Sequence, residues 1–170
     1  GTTLSFLLPM IFRLRKSIGC QKTGLRGLIL SPTAELTQQT FQTTQVLSRS
    51  LSLRSSILDR SRAAGTNFSK VDILLAQPLR LGVVLDSNRA SLADLSMLII
   101  DEFDRMMDVQ FSQQVDDIIS RVATKEGIVR ALFSATLPSH IEILAKSILI
   151  GNPFALRVGA VNTAVDTVEQ

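Results

Sequence analysis

The run Met97-Leu98-Ile99-Ile100 is apolar at every position and is cut short by charge at Asp101. A buried helix spreads its apolar residues over ten or more positions, and a strand with one wet face alternates. A short unbroken run therefore predicts a strand covered on both faces, as in a parallel sheet lying between layers of helix. Similar runs occupy Gly27 to Leu30, Leu53 to Leu58, Asp72 to Leu75, Val129 to Phe133 and Phe154 to Val158. Helical periods separate them. Phe111, Val115, Ile118, Ile119 and Val122 fall on one helical face. A second pattern runs from about Thr33 to Leu47, and a third begins near Pro138 and stops before Gly151-Asn152-Pro153. Strand then helix, repeated, predicts an α/β fold: a doubly wound, mainly parallel sheet with helices on both faces.

In such sheets ligands lie beyond the carboxyl ends of the strands, so residues that carry chemistry should follow the apolar runs. At 170 residues, 45% hydrophobic and 19% charged, the chain suits a single folded domain and excludes a disordered one. A net charge of +3 suits contact with polyanions without establishing it. Cys20 is the one cysteine, which excludes an internal disulfide framework and a cysteine-based zinc site and implies a reducing compartment. The apolar opening from Leu4 to Phe12 has no basic stretch before it and is too short to span a bilayer, so it reads as a buried helix. The alternation of leucine with serine and arginine over Ser48 to Ser56 suggests a half-buried strand. His140 has no second histidine or cysteine with which to bind metal and is expected to face solvent; Met97, Met106 and Met107 read as core filler.

Four loops stand where chemistry is expected. Ile99-Ile100 ends in Asp101-Glu102-Phe103-Asp104, and a carboxylate there suits Mg²⁺ held through water, with a second one to orient or deprotonate an attacking water. Val129 to Phe133 runs into Ser134-Ala135-Thr136, two hydroxyls around a small residue. Leu28 to Leu30 ends in Ser31-Pro32-Thr33-Ala34-Glu35-Leu36, a helix start whose N–H groups suit a phosphate. Asp72 to Leu75 leads to Ala76-Gln77-Pro78-Leu79-Arg80, placing an arginine after a tight turn. Read singly, each is an ordinary loop and helix cap.

Read together, the order Pro-Thr-x-Glu-Leu, x-Pro-x-Arg, Asp-Glu-x-Asp and Ser-Ala-Thr resembles the first RecA-like domain of the DEAD-box ATP-dependent RNA helicases. The opening Gly1-Thr2-Thr3 resembles the end of that family's phosphate loop, so the likeness spans essentially the whole chain. On this reading residues 1–158 are the core domain, truncated within the phosphate loop, and residues 159–170 begin the interdomain linker. The stretch from Val158 to Gln170 resembles the linker of a nucleolar branch that works in small-subunit ribosome assembly.

The resemblance implies ATP and Mg²⁺ as cofactors, with Gly1, Thr2, Thr3 and Asp101 at the nucleotide and Asp101 and Thr3 holding the metal largely through water. It implies that Glu102 activates the hydrolytic water, and that Asp104 bonds toward Ser134 and Thr136 to link hydrolysis to strand separation. It assigns Pro32, Thr33, Pro78 and Arg80 to the RNA backbone, a grip that is sequence-independent and salt-sensitive. The implied partners are RNA, the second RecA-like domain of the parent chain and, as a further candidate, a protein cofactor. A monomer without membrane attachment, nuclear, nucleolar or cytoplasmic and not secreted, completes the expectation.

The chain also departs from the pattern. Thr2 stands at the position of the phosphate-loop lysine, Ala34 at that of an arginine, and Gln77 and Leu79 flank Pro78 where threonine and glycine are usual. A neutral hydroxyl cannot replace a cation at the β/γ-phosphates, so nucleotide affinity should suffer. Phe103 replaces a small residue and needs an enlarged pocket, since overpacking costs ~1–3 kcal/mol. These departures motivate an alternative expectation, a degenerate helicase-like module that binds RNA or protein without hydrolysing ATP.

Overall fold

The computed structural model describes residues 2–16, 24–59 and 65–158. Gly1, Cys20 and the linker-like residues 159–170 lie outside them. Helix α1 (Thr2–Lys16) comes first, followed by β1 (Gly27–Leu30), α2 (Ala34–Arg49), β2 (Ser55–Leu58) and β3 (Ile73–Ala76). The chain continues through α3 (Pro78–Asp86), β4 (Met97–Ile100), the short α4 (Phe103–Met106), α5 (Ser112–Arg121), β5 (Val129–Leu132) and α6 (Ser139–Ile148). The strands form one sheet in the order β2-β3-β1-β4-β5, and every pairing is parallel. The expected α/β sheet with helices on both faces is what forms.

Strand side chains alternate between two apolar layers, as the two-residue period requires. Leu28, Leu30, Leu74, Ala76, Leu98 and Ile100 pack with residues of α3, α5 and α6. Ile29, Ile57, Ile73, Leu75, Met97 and Ile99 pack on the other face with Phe6, Leu7, Met10, Ile11 and Leu14 of α1 and Phe41 of α2. The apolar runs are continuous because both faces are covered. The buried helix expected at α1 is buried along one stripe, and Leu4, Leu8 and Phe12 are exposed. Its spacing of one, three and four residues builds a stripe, and the other side meets solvent. No helix among the described residues is long and apolar enough to cross a membrane.

Close approach at the start of the central strand favours a glycine. A Cβ on Gly27 would lie 2.9 Å from Sδ of Met10 and 3.1 Å from Cδ1 of Leu14. This brings the C-terminal half of α1 to the N-terminal end of β1. At the opposite end the Phe6 ring meets Phe133, beyond β5, at 5.1 Å between centroids. Helix α1 thus runs antiparallel to the strands, with its N-terminus at their carboxyl ends. At the amino ends, Asp72 takes hydrogen bonds from the guanidinium groups of Arg26 and Arg54, and Arg26 also donates to the Leu14 carbonyl.

Two strand boundaries differ from expectation. The Ser48 carbonyl accepts the N–H groups of both Leu51 and Leu53, and this turn at the end of α2 delays β2 to Ser55. The half-buried strand expected over Ser48 to Ser56 is therefore mostly helix end and turn. The sixth strand expected at Phe154 to Val158 does not form. Gly151, at φ 79°, turns the chain after α6, and Phe154, Leu156 and Val158 stand almost fully exposed with no ladder partner among the described residues.

Candidate functional site

Strand β1 leads by α2 to one side of the sheet, whereas β4 leads by α5 to the other. Their carboxyl ends flank the point where chain direction diverges, and a crevice opens there in folds of this kind. The Asp101 N–H donates to the Leu30 carbonyl at 2.9 Å, so Asp101 stands in that crevice. Its Oδ1 accepts the Glu102 N–H at 3.0 Å. Burial pushes the Asp101 carboxyl above its ordinary range, and the neighbouring Glu102 charge adds to the rise against that hydrogen bond. A carboxylate deprived of water is a ready partner for a hard cation.

Glu102 has φ 50° and ψ 53°, a left-handed conformation that is uncommon outside glycine and concentrated at functional sites. Phe103 can follow because its N–H bonds the Phe133 carbonyl at 2.8 Å and its ring is wholly buried, so the core does supply the space that it needs. The Glu102 carboxylate meets Nη1 of Arg105 at 2.7 Å. The sequence reading missed that pair, although a separation of three within a helical turn is a signal for it.

Asp104 turns toward β5. Its Oδ2 accepts the Thr136 hydroxyl at 2.6 Å and the Thr136 N–H at 3.2 Å, and its own N–H donates to Oγ of Ser134 at 3.2 Å. Ser134 in turn donates to the Thr136 carbonyl at 2.7 Å. Partial burial raises the Asp104 carboxyl, but the Thr136 and Ser134 hydroxyls and the N–H groups of Arg105 and Thr136 outweigh it, holding the group below its usual range. Thr2 and Thr3 open α1 at the same sheet edge, with Thr2 exposed and Thr3 half-buried. Among the described residues no three histidine, cysteine or acidic side chains are gathered to hold a metal ion.

A second cluster lies beyond β1 and β3. The Thr33 hydroxyl accepts the Leu36 N–H at 3.3 Å and caps α2, while Pro78 opens α3. Pro32 and Pro78 are buried and Arg80 is half-buried. Gln77 joins the two loops: its Nε2 donates to the Pro32 carbonyl at 3.2 Å, and its Oε1 accepts Nε of Arg80 at 3.0 Å. An open cleft of about 330 Å³ beside them is lined by Ala34, Glu35, Gln38, Asp59, Gln77 and Arg80, with Ile57 and Leu58 behind. His140 is exposed, and Met97 and Met106 are core residues.

A family model described as DEAD/DEAH box helicase matches residues 1–144. The ATP-dependent RNA helicase ROK1 of Lodderomyces elongisporus is 37% identical over 175 residues, covering 100% of this chain and 31% of that protein. The protein of the same name from Scheffersomyces stipitis is 38% identical over 177 residues, with the same shares. Among solved structures, the yeast DEAD-box splicing factor Prp28 matches with a TM-score of 0.77 at 26% identity, covering 88% of this chain and 37% of that one. The chain thus spans 31% of the length of these curated relatives.

Proposed function

The chain belongs to the DEAD/DEAH box helicase family, and from that premise we propose that it is the first RecA-like domain of an ATP-dependent RNA helicase. In a protein of its relatives' length it would couple ATP hydrolysis to local RNA unwinding. The observation that carries this reading is the division of labour among three carboxylates at one sheet edge. Asp101 lies desolvated in the crevice, Glu102 is held in a left-handed turn, and Asp104 is bonded to Thr136 of the neighbouring loop.

Oxygen donors suit Mg²⁺, and the protein side of such a site commonly comprises one or two carboxylates beside substrate phosphates. Asp101 and the Thr3 hydroxyl are the residues that would hold it, largely through water. Once bound, the ion supplies charge neutralisation at the phosphates. Asp101 stays ionised there because cation binding offsets its desolvation. Glu102 takes up a proton from the attacking water at its carboxylate, of which Oε2 is the oxygen that meets Arg105. Asp104 carries the change to the Ser134-Ala135-Thr136 loop through bonds that already exist. Pro32 and Pro78, with buried rings, shape backbone that meets RNA phosphates, and Thr33 and Arg80 add a helix start and a guanidinium. The second RecA-like domain would close over both clusters, and a protein cofactor is a further candidate. Nucleolar ribosome assembly is the proposed setting, resting on the resemblance of Val158 to Gln170.

RNA-stimulated ATP hydrolysis by the full-length parent tests this reading, with Thr2 as found, with Thr2→Lys, and with Glu102→Gln as control. Turnover that Glu102→Gln abolishes supports it. Turnover in Thr2→Lys alone would mean a helicase fold that binds without hydrolysing.

A further inference from the structure

We propose that Gln77 is a positioning residue that aims Arg80 at a nucleic-acid phosphate and ties it to the Pro32 loop. The inference deepens the RNA-binding reading and rests on it. Its basis is a bridge in which both ends of one amide are used. Nε2 of Gln77 donates to the Pro32 carbonyl at 3.2 Å, and Oε1 accepts Nε of Arg80 at 3.0 Å. An amide offers a donor at one end and an acceptor at the other, so the carbonyl and the guanidinium fix its orientation. Glutamate would present oxygen to the Pro32 carbonyl, and leucine would serve neither partner.

The cleft explains why a neutral anchor matters. Glu35 and Asp59 line it together with Arg80, which is the one cation among its lining residues, and Ala34 contributes no charge. An unanchored arginine beside two carboxylates is drawn into an ion pair with one of them. Gln77 engages only Nε, leaving the two terminal amino groups of Arg80 without a partner among the described residues. Those groups form the edge that takes a phosphate in a bidentate grip. An amide holds that edge in place without itself neutralising the positive charge.

The test measures binding of the full-length parent to a fluorescein-labelled single-stranded oligouridylate, with Mg²⁺ and a non-hydrolysable ATP analogue, over a range of salt concentrations. Gln77→Leu, Gln77→Glu, Arg80→Ala and the doubles Gln77→Leu/Arg80→Ala and Gln77→Glu/Arg80→Ala are compared, with far-UV circular dichroism as a check on folding. Gln77→Glu keeps the size of the side chain, so it serves if the leucine variant folds poorly. We expect each Gln77 variant to weaken binding about three- to tenfold, on the scale of a hydrogen bond to a charged group. The slope of log affinity against log salt should flatten by about 0.7, the value for one single-strand phosphate contact. In the Arg80→Ala background Gln77→Leu should not weaken binding further, whereas the carboxylate of Gln77→Glu repels phosphate on its own account. A neutral side chain whose loss removes a counterion-releasing contact must act through a cation. An unchanged slope, or a Gln77→Leu loss that multiplies with Arg80→Ala, would overturn the positioning role while leaving RNA binding intact. An Arg80→Ala protein that binds like the parent would instead overturn the RNA reading of this loop, and the proposal with it.

Discussion

The Thr136 hydroxyl donates a 2.6 Å hydrogen bond to Oδ2 of Asp104, a residue 32 positions earlier in the chain. The Thr136 N–H reaches the same oxygen, so the loop after β5 is fastened to the loop after β4 by one carboxylate. Both strands are parallel neighbours, with Ile100 beside Leu132 in register, and this places the two loops at one edge. Any movement of Asp104 is therefore felt at Ser134-Ala135-Thr136.

Thr136→Val removes the shortest of these bonds from a half-exposed carboxyl. The Asp104 carboxyl should rise toward 3.8, as read by carbon-13 NMR titration of the domain. In the full-length protein, duplex unwinding should fall about five- to thirtyfold while RNA-stimulated ATP hydrolysis falls much less, on the order of one to two kcal/mol of coupling. Equal loss of both activities would show that the contact does not transmit.

Asp101→Asn should leave the domain as stable as before or more so, while abolishing Mg²⁺-dependent nucleotide binding. The raised pKa means that folding disfavours the ionised form, and Oδ1 of asparagine still accepts the Glu102 N–H. By linkage, the penalty of Asp101 operates at neutral pH and is relieved as pH falls through its raised folded value. Thermal melting at pH 7 and nucleotide titration of the same sample check both halves.

Asp72→Ala should be the most damaging of these changes. It strands the Arg26 guanidinium, only 7% exposed, whose ion pair with Asp72 spans 2.9 Å. Breaking a buried pair by removing one partner costs about 3–5 kcal/mol. Burial raises the Asp72 carboxyl, but hydrogen bonds from Arg54 and Arg26 outweigh it and depress the group below 3.8. Its contribution is thus full above 3.8 and is lost as pH falls through the depressed value. Urea unfolding should show a large gap between parent and variant at pH 7 that narrows in acid.

Gly27→Ala should lower the melting temperature modestly, with Gly27→Val worse. The added methyl meets Met10, whose flexible side chain can give way, and then Leu14. A cost of about 1 kcal/mol for alanine, and up to about 3 for valine, is expected from overpacking. Unchanged melting for both would mean that α1 does not press on the sheet at this point.

The division between what sequence and tertiary structure decide follows from the range of the forces involved. Apolar runs such as Met97 to Ile100 announce strands buried on both faces, because burial of consecutive residues is a local pattern with one common solution. The tight turn read at Pro78 proves to open α3, whereas Thr33 at a helix start was legible for the same reason. The expected strand at Phe154 to Val158 was not, since a strand exists only where another offers its hydrogen bonds, and none does so among the described residues. The motif residues could be named in order from the sequence, with Asp101, Glu102, Asp104, Ser134 and Thr136 among them. The Glu102–Arg105 pair is local, but the grip of Asp104 on Thr136, which the family resemblance implied, is realised only through the parallel register of β4 and β5. Gln77 reads in sequence as a lost contact, yet folding brings it against Pro32, 45 residues earlier, and turns it into a bridge. Side-chain type and local spacing are written in the chain, whereas the partner of a polar group is chosen by the packing that brings distant loops to one edge.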